Sequence, residues 1–276
     1  MQIDLKEKVF HDLAQIADQH NIEAYVVGGY VRDKIMKRPS KDIDVVVIGN
    51  GIDFAKKFSK EHGTSDVHVF KNFGTAQVLT QDWEIEFVGA RKESYNRDSR
   101  KPVVENGSLE DDQNRRDFSI NALAARLSVS KLGEVTDPFG GIVDIENKII
   151  RTPLDPDRTF SDDPLRMMRA IRFATQLDFT IEEETLKGIA RNAKRLEIIS
   201  QERITDELNK IIMSPIPSIG FKHLFNTKLL HEFFPEMVAL QGVQIIDGKG
   251  HKDNFYHTLK VLDNTCEESS DLWLRW

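Results

Sequence analysis

The sequence predicts an α+β fold, a mixed-sheet unit followed by an all-α unit. Three patterns predict it. Two β-branched runs, Ala24-Tyr25-Val26-Val27 and Ile43-Asp44-Val45-Val46-Val47-Ile48, each end in glycines and lie between segments of helical period. A set of alternating strands follows. Beyond a turn-rich junction, Thr136-Asp137-Pro138-Phe139-Gly140-Gly141, the period is helical almost throughout. Length agrees, since 276 residues at roughly 150 per domain give about two domains, each able to bury its own core.

In chain order, Asp4 to His20 is amphipathic and reads as the first helix, Val31 to Met36 as a short second and Ile52 to Glu61 as a third. Val67-His68-Val69-Phe70, Ala76-Gln77-Val78-Leu79 and Glu84-Ile85-Glu86-Phe87-Val88 alternate well enough to be meander strands with one polar face each. From Arg91 to Arg115 the hydrophobic spacing disappears and charge dominates, which predicts a long mobile loop. Asp162 to Gln176, Glu182 to Ala193, Glu202 to Met213 and Ile219 to Lys228 are the later helices, with Pro215 and Pro217 separating the last two. No internal repeat or low-complexity tract stands out. The chain ends on Asp271-Leu272-Trp273-Leu274-Arg275-Trp276, an apolar segment without a polar tail, so it is expected to be part of a longer protein.

Composition narrows the class. With 39% hydrophobic and 30% charged residues the chain is neither collagen-like, fibrous nor wholly disordered. No apolar run approaches the roughly 18 residues of a membrane span, and the acidic, apolar-poor start predicts no secretory signal. The single cysteine, Cys266, offers no internal disulfide or thiolate cluster and suits a reducing, cytoplasmic compartment. A net charge of −7 argues against a surface that attracts nucleic acid everywhere. Residues 166–228, however, hold eleven Lys or Arg against eight Asp or Glu, which leaves room for a local basic groove.

The most informative stretch is Gly28-Gly29-Tyr30-Val31-Arg32-Asp33, followed closely by Asp42-Ile43-Asp44. Two glycines between a strand and a helix let backbone N–H groups approach an anion at the helix N-terminus. Asp42 and Asp44, two apart on a strand, project from one face and can hold hard divalent cations such as Mg²⁺. Aspartate is depleted in strands, and two such residues cost stability unless a cation neutralises them. Glu86, on another strand, could supply a third carboxylate. Taken singly, a glycine pair is a turn and D-x-D an exposed strand face. In this order, around a short helix, they point to a metal-dependent nucleotide site.

This arrangement resembles motif A of the DNA polymerase β nucleotidyltransferase superfamily, in particular the class II branch of CCA-adding tRNA nucleotidyltransferases and bacterial poly(A) polymerases. Arg115-Arg116-Asp117-Phe118-Ser119-Ile120-Asn121-Ala122 is similar to that family's R-R-D-F-[TS]-x-N-A block, used around the ribose and phosphates of the nucleotide. Asp137-Pro138-Phe139-Gly140-Gly141, with Asp144 and Ile150-Arg151, resembles its junction between head and neck. Asp162-Asp163-Pro164-Leu165-Arg166 resembles its E-D-x-x-R motif, with Asp162 in place of Glu, and Glu202-Arg203-Ile204 with Glu207-Leu208 its next neck-helix motif. The five blocks, in order, cover about residues 24–213.

The resemblance implies a polymerase-β-like nucleotidyltransferase head over residues 1–150, a helical neck and body over 151–245 for nucleotide selection and RNA binding, and the start of an HD-like domain over 246–276. It implies a template-independent enzyme that adds or repairs the 3′ CCA end of tRNA from CTP and ATP, using Mg²⁺ at Asp42 and Asp44 beside Glu86. Gly28, Gly29, Arg32 and Asp33 would surround the phosphates, while Arg116, Asp117 and Asn121 would position sugar and phosphate. Asp163 and Arg166, three apart on a predicted helix and so on one face, would choose the base. A carboxylate accepts from the amine of cytosine or adenine and a guanidinium donates to the ring acceptor beside it, whereas U and G present a carbonyl, a mismatch worth roughly 1–3 kcal/mol per bidentate contact. Outside its motif this pair would read as a helix-surface ion pair.

Arg169, with Arg166 and Arg172, would face the triphosphate or the RNA end, or lie over the helix bundle. The segment with Arg91, Arg97, Arg100 and Lys101 matches the family's flexible loop in place, or is a solvated loop. Gly250 to Leu259, with His251, Lys252 and His257, resembles the opening of an HD phosphohydrolase, whose partner His-Asp pair is not found before Trp276, so His257 is not counted as a ligand. No nucleophilic side chain is expected, because phosphoryl transfer needs positioning and charge neutralisation. Motifs alone leave open a poly(A) polymerase, a CC- or A-adding enzyme, an RNA-binding module or an HD-type hydrolase. No membrane or protein partner is implied.

Overall fold

A computed structural model of the chain describes residues 1–63, 67–71, 73–96, 99–242, 245–246, 249–250 and 253–276, without the side chains of 93–103 and 245–250. Two units are present, Met1–Tyr95 with Lys101–Asn147, and Asn96–Arg100 with Lys148–Trp276.

In the first unit, α1 (Lys8–Gln19) buries Phe10, Leu13, Ala14 and Ala17, the i, i+3, i+4, i+7 positions of one helix face. β1 (Ala24–Val27), α2 (Gly29–Ile35), β2 (Asp42–Val47) and α3 (Gly51–His62) follow. Asn50 Oδ1 starts α3 by accepting from Asp53 N at 3.2 Å, and Gly63, at φ +77°, stops it. The expected meander is present as β3 (Val67–Phe70), β4 (Thr75–Leu79) and β5 (Glu84–Gly89). With β8 (Ala124–Arg126) and β9 (Val135–Thr136), the sheet runs β3-β4-β5-β2-β1-β8-β9. It is mixed: β2 and β5 are parallel, while β1 is antiparallel to both β2 and β8.

Strand alternation then fixes two faces. Ile43, Val45 and Val47 of β2 and Ile85 and Phe87 of β5 are buried, and Phe87 meets Phe54 and Phe58 of α3 with ring centroids 5.7 Å away in each case. The two-residue period therefore throws Asp42, Asp44, Glu84 and Glu86 onto the other face, where all four are exposed. Further along that face lies a smaller apolar cluster of Tyr25, Val27, Val46, Ala90 and Ala124, with Leu109 against it.

Residues 91–115 are not one loop, because β6 (Arg91–Asn96) and β7 (Ser99–Asn106) form a two-stranded sheet of their own and α4 (Leu109–Asn114) follows. A two-stranded ribbon is held by backbone hydrogen bonds and needs no apolar face, so it leaves no alternation to read. The start of α4 was legible: Ser108 Oγ accepts from Asp111 N at 3.2 Å while Asp111 Oδ2 accepts from Ser108 N at 2.9 Å, a capping box. Strand β8 was missed as well, since Ala-Ala-Arg has no β-branched residue and is a strand because it pairs with β1.

The first unit closes with α5 (Gly141–Glu146). In the second, β10 (Ile149–Ile150) pairs with β11 (Thr180–Ile181), so the half expected to be all-α carries a short parallel ladder. Its helices are α6 (Pro156–Asp162), α7 (Leu165–Leu177), α8 (Glu183–Asn192), α9 (Gln201–Ile212), α10 (Pro217–Asn226), α11 (Leu229–Phe233), α12 (Pro235–Val238), α13 (Asn254–Glu268) and α14 (Leu272–Arg275). The helix expected over Asp162 to Gln176 is not continuous. It is broken at Asp163, which has φ −142° and ψ 101°, because the ring of Pro164 excludes the residue before it from helical angles. No helix among the described residues is long and apolar enough to cross a membrane.

Phe58 is fully buried between α3 and β5. Phe58→Ala is expected to remove about 3–5 kcal/mol from the unfolding free energy of the first unit in a urea titration followed by circular dichroism. A loss below about 1 kcal/mol would show that this sheet face is not the core it is taken to be.

Candidate functional site

Strand register assembles the site. Val27, the last residue of β1, pairs with Asp44, and Asp44 pairs on its other side with Glu86 of β5. The chain leaves β1 through Gly28, at φ +70° and ψ −131°, and turns directly into α2. A Cβ on Gly28 would stand 2.9 Å from Arg116 Nη1 and 3.7 Å from Asp44 Oδ2. Glycine is thus required at 28 for its backbone angle and for the space it leaves. At 29 a Cβ would meet only Arg32 Nη2, at an ordinary 3.7 Å. No side chain caps the start of α2, so its first-turn N–H groups keep the anion-binding character of a helix N-terminus.

Behind this corner lies a chain of polar side chains. Arg32, only 8% exposed, donates Nε and Nη2 to the two oxygens of Asp33, both at 2.9 Å, and Nη1 to Asn121 Oδ1 at 2.7 Å. Asn121 Nδ2 donates to Asp117 Oδ1 at 3.0 Å, and that oxygen also accepts from Phe118 N at 2.9 Å. The backbone oxygen of Asn121 accepts from Arg116 Nη1 at 3.3 Å. Gly28, Arg32, Asp33, Asp44, Arg116, Asp117 and Asn121, separated by up to 93 positions in the sequence, form one cluster.

Sequence reasoning missed Asp112. It is fully buried, and it accepts from Arg115 Nε at 2.9 Å and from Arg115 Nη2 through Oδ1, and from Arg116 Nε at 3.0 Å and Nη2 at 2.8 Å through Oδ2. Burial pushes its carboxyl up, but the charges and hydrogen bonds of Arg116 and Arg115 outweigh burial and hold it below the usual carboxylate range. A signal existed, since an acid three and four places before an arginine pair, after a helix start, predicts this contact.

Asp44 has the opposite character. Its edge is exposed, yet protein atoms crowd it, and its carboxyl is held above the usual range. Burial is the largest cause, Arg116 opposes it, and Glu86, Asp42 and Asp112 add to the rise. Among the described residues no group of three His, Cys, Asp or Glu side chains is gathered to hold a metal by itself. A hard cation nevertheless fits at Asp42 and Asp44, because two carboxylates on one strand face supply oxygen ligands and crowded Asp44 gains from neutralisation.

In the second unit, Asp163 lies between α6 and α7, not on a shared helix face with Arg166 as expected. Its Oδ1 accepts from Leu165 N at 3.2 Å and its backbone oxygen from Arg166 N at 3.0 Å, so it starts α7. Arg166 donates Nη1 to Thr159 O at 3.4 Å. The expected arginine stripe divides. Arg172 is pinned to Glu207 of α9 at 2.6 Å and lies 3.9 Å over the Phe173 ring, while Arg169 sits 5.3 Å from that ring. Arg97 lies outside the described residues, as do the side chains of Arg100 and Lys101 and all of His251 and Lys252.

A raised Asp44 means that its ionised form opposes folding, a cost absent below the ordinary carboxylate pKa and complete once pH passes the raised value. In chelator at neutral pH, Asp44→Asn is expected to melt at a higher temperature than the parent, with the gap closing toward about pH 4. Lower melting of the variant would contradict the crowding. At the corner, Gly28→Ala is expected to cost about 1–3 kcal/mol in denaturant titration, whereas Gly29→Ala leaves stability unchanged or higher. Equal losses at both positions would remove the special role of Gly28.

Known proteins resemble this chain over most of its length. Residues 24–151 match the family described as Poly A polymerase head domain, and residues 178–240 the one described as probable RNA and SrmB-binding site of polymerase A. The CCA-adding enzyme of Limosilactobacillus reuteri (strain DSM 20016) is 40% identical over 254 residues, 90% of this chain and 60% of that protein. The A-adding tRNA nucleotidyltransferase of Aquifex aeolicus (strain VF5) is 39% identical over 191 residues, 66% of this chain and 23% of that protein. This chain therefore spans only part of either relative. A solved tRNA-processing enzyme with CTP has a TM-score of 0.76 at 30% identity, covering 95% of this chain and 68% of that one. With the glycine corner, the acidic strands and the Arg115–Asn121 block all inside the head-domain match, the chain belongs to the family of CCA-adding tRNA nucleotidyltransferases and bacterial poly(A) polymerases.

Proposed function

We propose that this chain is the catalytic part of a template-independent nucleotidyltransferase that adds or repairs the 3′ CCA end of tRNA from CTP and ATP in the cytoplasm. The observation that carries the reading is the meeting of Asp44 and Arg116 at Gly28, which sets an acid for cations and a guanidinium for phosphate on either side of a bare backbone corner. The names of the relatives, one of them bound to CTP, support the same substrates. The free Cys266 and the absence of a membrane-crossing helix among the described residues are compatible with the cytoplasm.

In this reading residues 1–150 are the head, 151–245 select the nucleotide and bind RNA, and 246–276 open an HD-like segment. Gly28, Gly29 and the first-turn amides of α2 receive the triphosphate, with Arg32 and Arg116 supplying positive charge. Asn121, fixed by Asp117 and Arg32, positions the sugar. Asp42 and Asp44 would hold Mg²⁺, and Glu86 would add to the negative field beside them. When bound, the cations neutralise the triphosphate and favour the ionised 3′ hydroxyl. The 3′ hydroxyl releases its proton to solvent, its oxygen attacks the α-phosphorus in line, the bond to the β-phosphate oxygen breaks, and pyrophosphate leaves. Asp163, just before α7, and Arg166, in its first turn, read the base edge, and Arg169 lies one turn further on. A second reading, addition of only part of CCA, is favoured by the A-adding relative.

The test supplies Mg²⁺, one labelled nucleotide at a time or CTP with ATP, and a tRNA lacking its last three nucleotides. Two C and one A are expected, with Asp42→Ala and Asp44→Ala each slowing incorporation by about 10²–10³-fold or more. A single A on a tRNA that already ends in CC, without C addition, selects the second reading. Full incorporation by both variants would end the assignment of the acids.

A further inference from the structure

We infer that Asp112 is a positioning residue for the nucleotide site: its carboxylate clamps the Arg116 guanidinium so that Nη1 lies over the Gly28 corner. The inference rests on the nucleotide site proposed above and assigns to it a residue that never faces the substrate.

The geometry is specific. Asp112 Oδ2 takes Nε and Nη2 of Arg116, the two nitrogens along one edge of the guanidinium, at 3.0 and 2.8 Å. That edge contact fixes both the plane and the rotation of the group. One nitrogen remains, Nη1, and it reaches Asn121 O at 3.3 Å and fills the space a Gly28 side chain would take. The clamp is itself mounted firmly. Asp112 lies in α4 and is fully buried, and its neighbour Gln113 ties that helix down by donating Nε2 to Ala122 O at 2.7 Å and Thr136 O at 3.2 Å.

Two consequences follow for binding. A long, flexible arginine held in one rotamer before the ligand arrives loses less entropy when phosphate binds. The clamp also decides which acid Arg116 serves. A Cβ on Gly28 would stand 2.9 Å from Arg116 Nη1 and 3.7 Å from Asp44 Oδ2, so without Asp112 the freed guanidinium would be drawn to the adjacent Asp42–Asp44 face and would neutralise internally the charge meant for the ligand. Arg115, the other partner of Asp112, leaves the carboxylate balanced by two cations rather than one.

The test is a double-variant cycle on the intact chain. Dissociation constants of CTP and of ATP are measured by calorimetry in EDTA for the parent, Asp112→Asn, Arg116→Ala and the pair combined. Asp112→Asn is expected to weaken both nucleotides by about tenfold, with their ratio unchanged, and to have no further effect once Arg116 is gone. In turnover assays KM rises by a similar factor while kcat changes by less than about threefold, a split that general unfolding does not produce. Equal weakening by Asp112→Asn with and without Arg116 overturns the inference. So does unchanged binding in Asp112→Asn when Arg116→Ala binds poorly. If Arg116→Ala itself binds both nucleotides normally, the phosphate role of Arg116 fails first and takes the inference with it. Where Asp112→Asn does not fold, Asp112→Glu takes its place: the charge stays, the carboxylate moves by one methylene, and a weakening that disappears without Arg116 is again required.

Discussion

Mutual repulsion among Asp42, Asp44, Glu84 and Glu86, all on one face of two paired parallel strands, is the constraint around which the first unit is arranged. Like charges side by side on neighbouring strands destabilise a sheet, by of the order of 1 kcal/mol per exposed pair in water and more where protein crowds them. The pairing survives because the opposite face buries Ile43, Val45, Ile85 and Phe87 against α3, at about 1.5–3 kcal/mol for each side chain. Apolar burial on one side of the strands thus exceeds the electrostatic cost on the other. The result is an acidic surface with a rigid floor, in which Asp44 is left with an unfavourable charge that an added cation relieves.

The remaining polar groups of the site restrain one another. Arg32 is bound by Asp33 and Asn121, Asn121 by Asp117, and Arg116 by Asp112 and the Asn121 backbone. Each is buried or nearly so and none is left to search for a partner, so Arg32 and Arg116 keep fixed positions around the glycine corner. Buried ion pairs rarely add much net stability once desolvation is counted. Their value here is geometric, fixing guanidinium planes in a site whose chemistry depends on position.

The second unit uses the same means differently. Pro164 ends one helix and begins the next, which places Asp163 at the start of α7 with its carboxylate engaged on Leu165 N. Arg172 is spent on Glu207 and the Phe173 ring, joining α7 to α9, so the arginines that share a helical period do not share a task.

The sequence by itself determined the mixed sheet, the meander, the glycine corner and the paired acids, because each is encoded within a few residues: β-branched alternation, a Gly-Gly turn, a two-residue period. It did not disclose β6 and β7, whose pairing requires no apolar stripe, nor β8, whose Ala-Ala-Arg becomes a strand only beside β1. The break at Asp163 was written in the following proline and was overridden by helical spacing on either side. Which acid serves which arginine was decided by the tertiary structure alone. Asp112 and Asp44 have the same side chain, and only the packed fold enclosed one between two guanidinium groups and left the other desolvated by the protein around it with further carboxylates nearby, which moves their proton affinities in opposite directions.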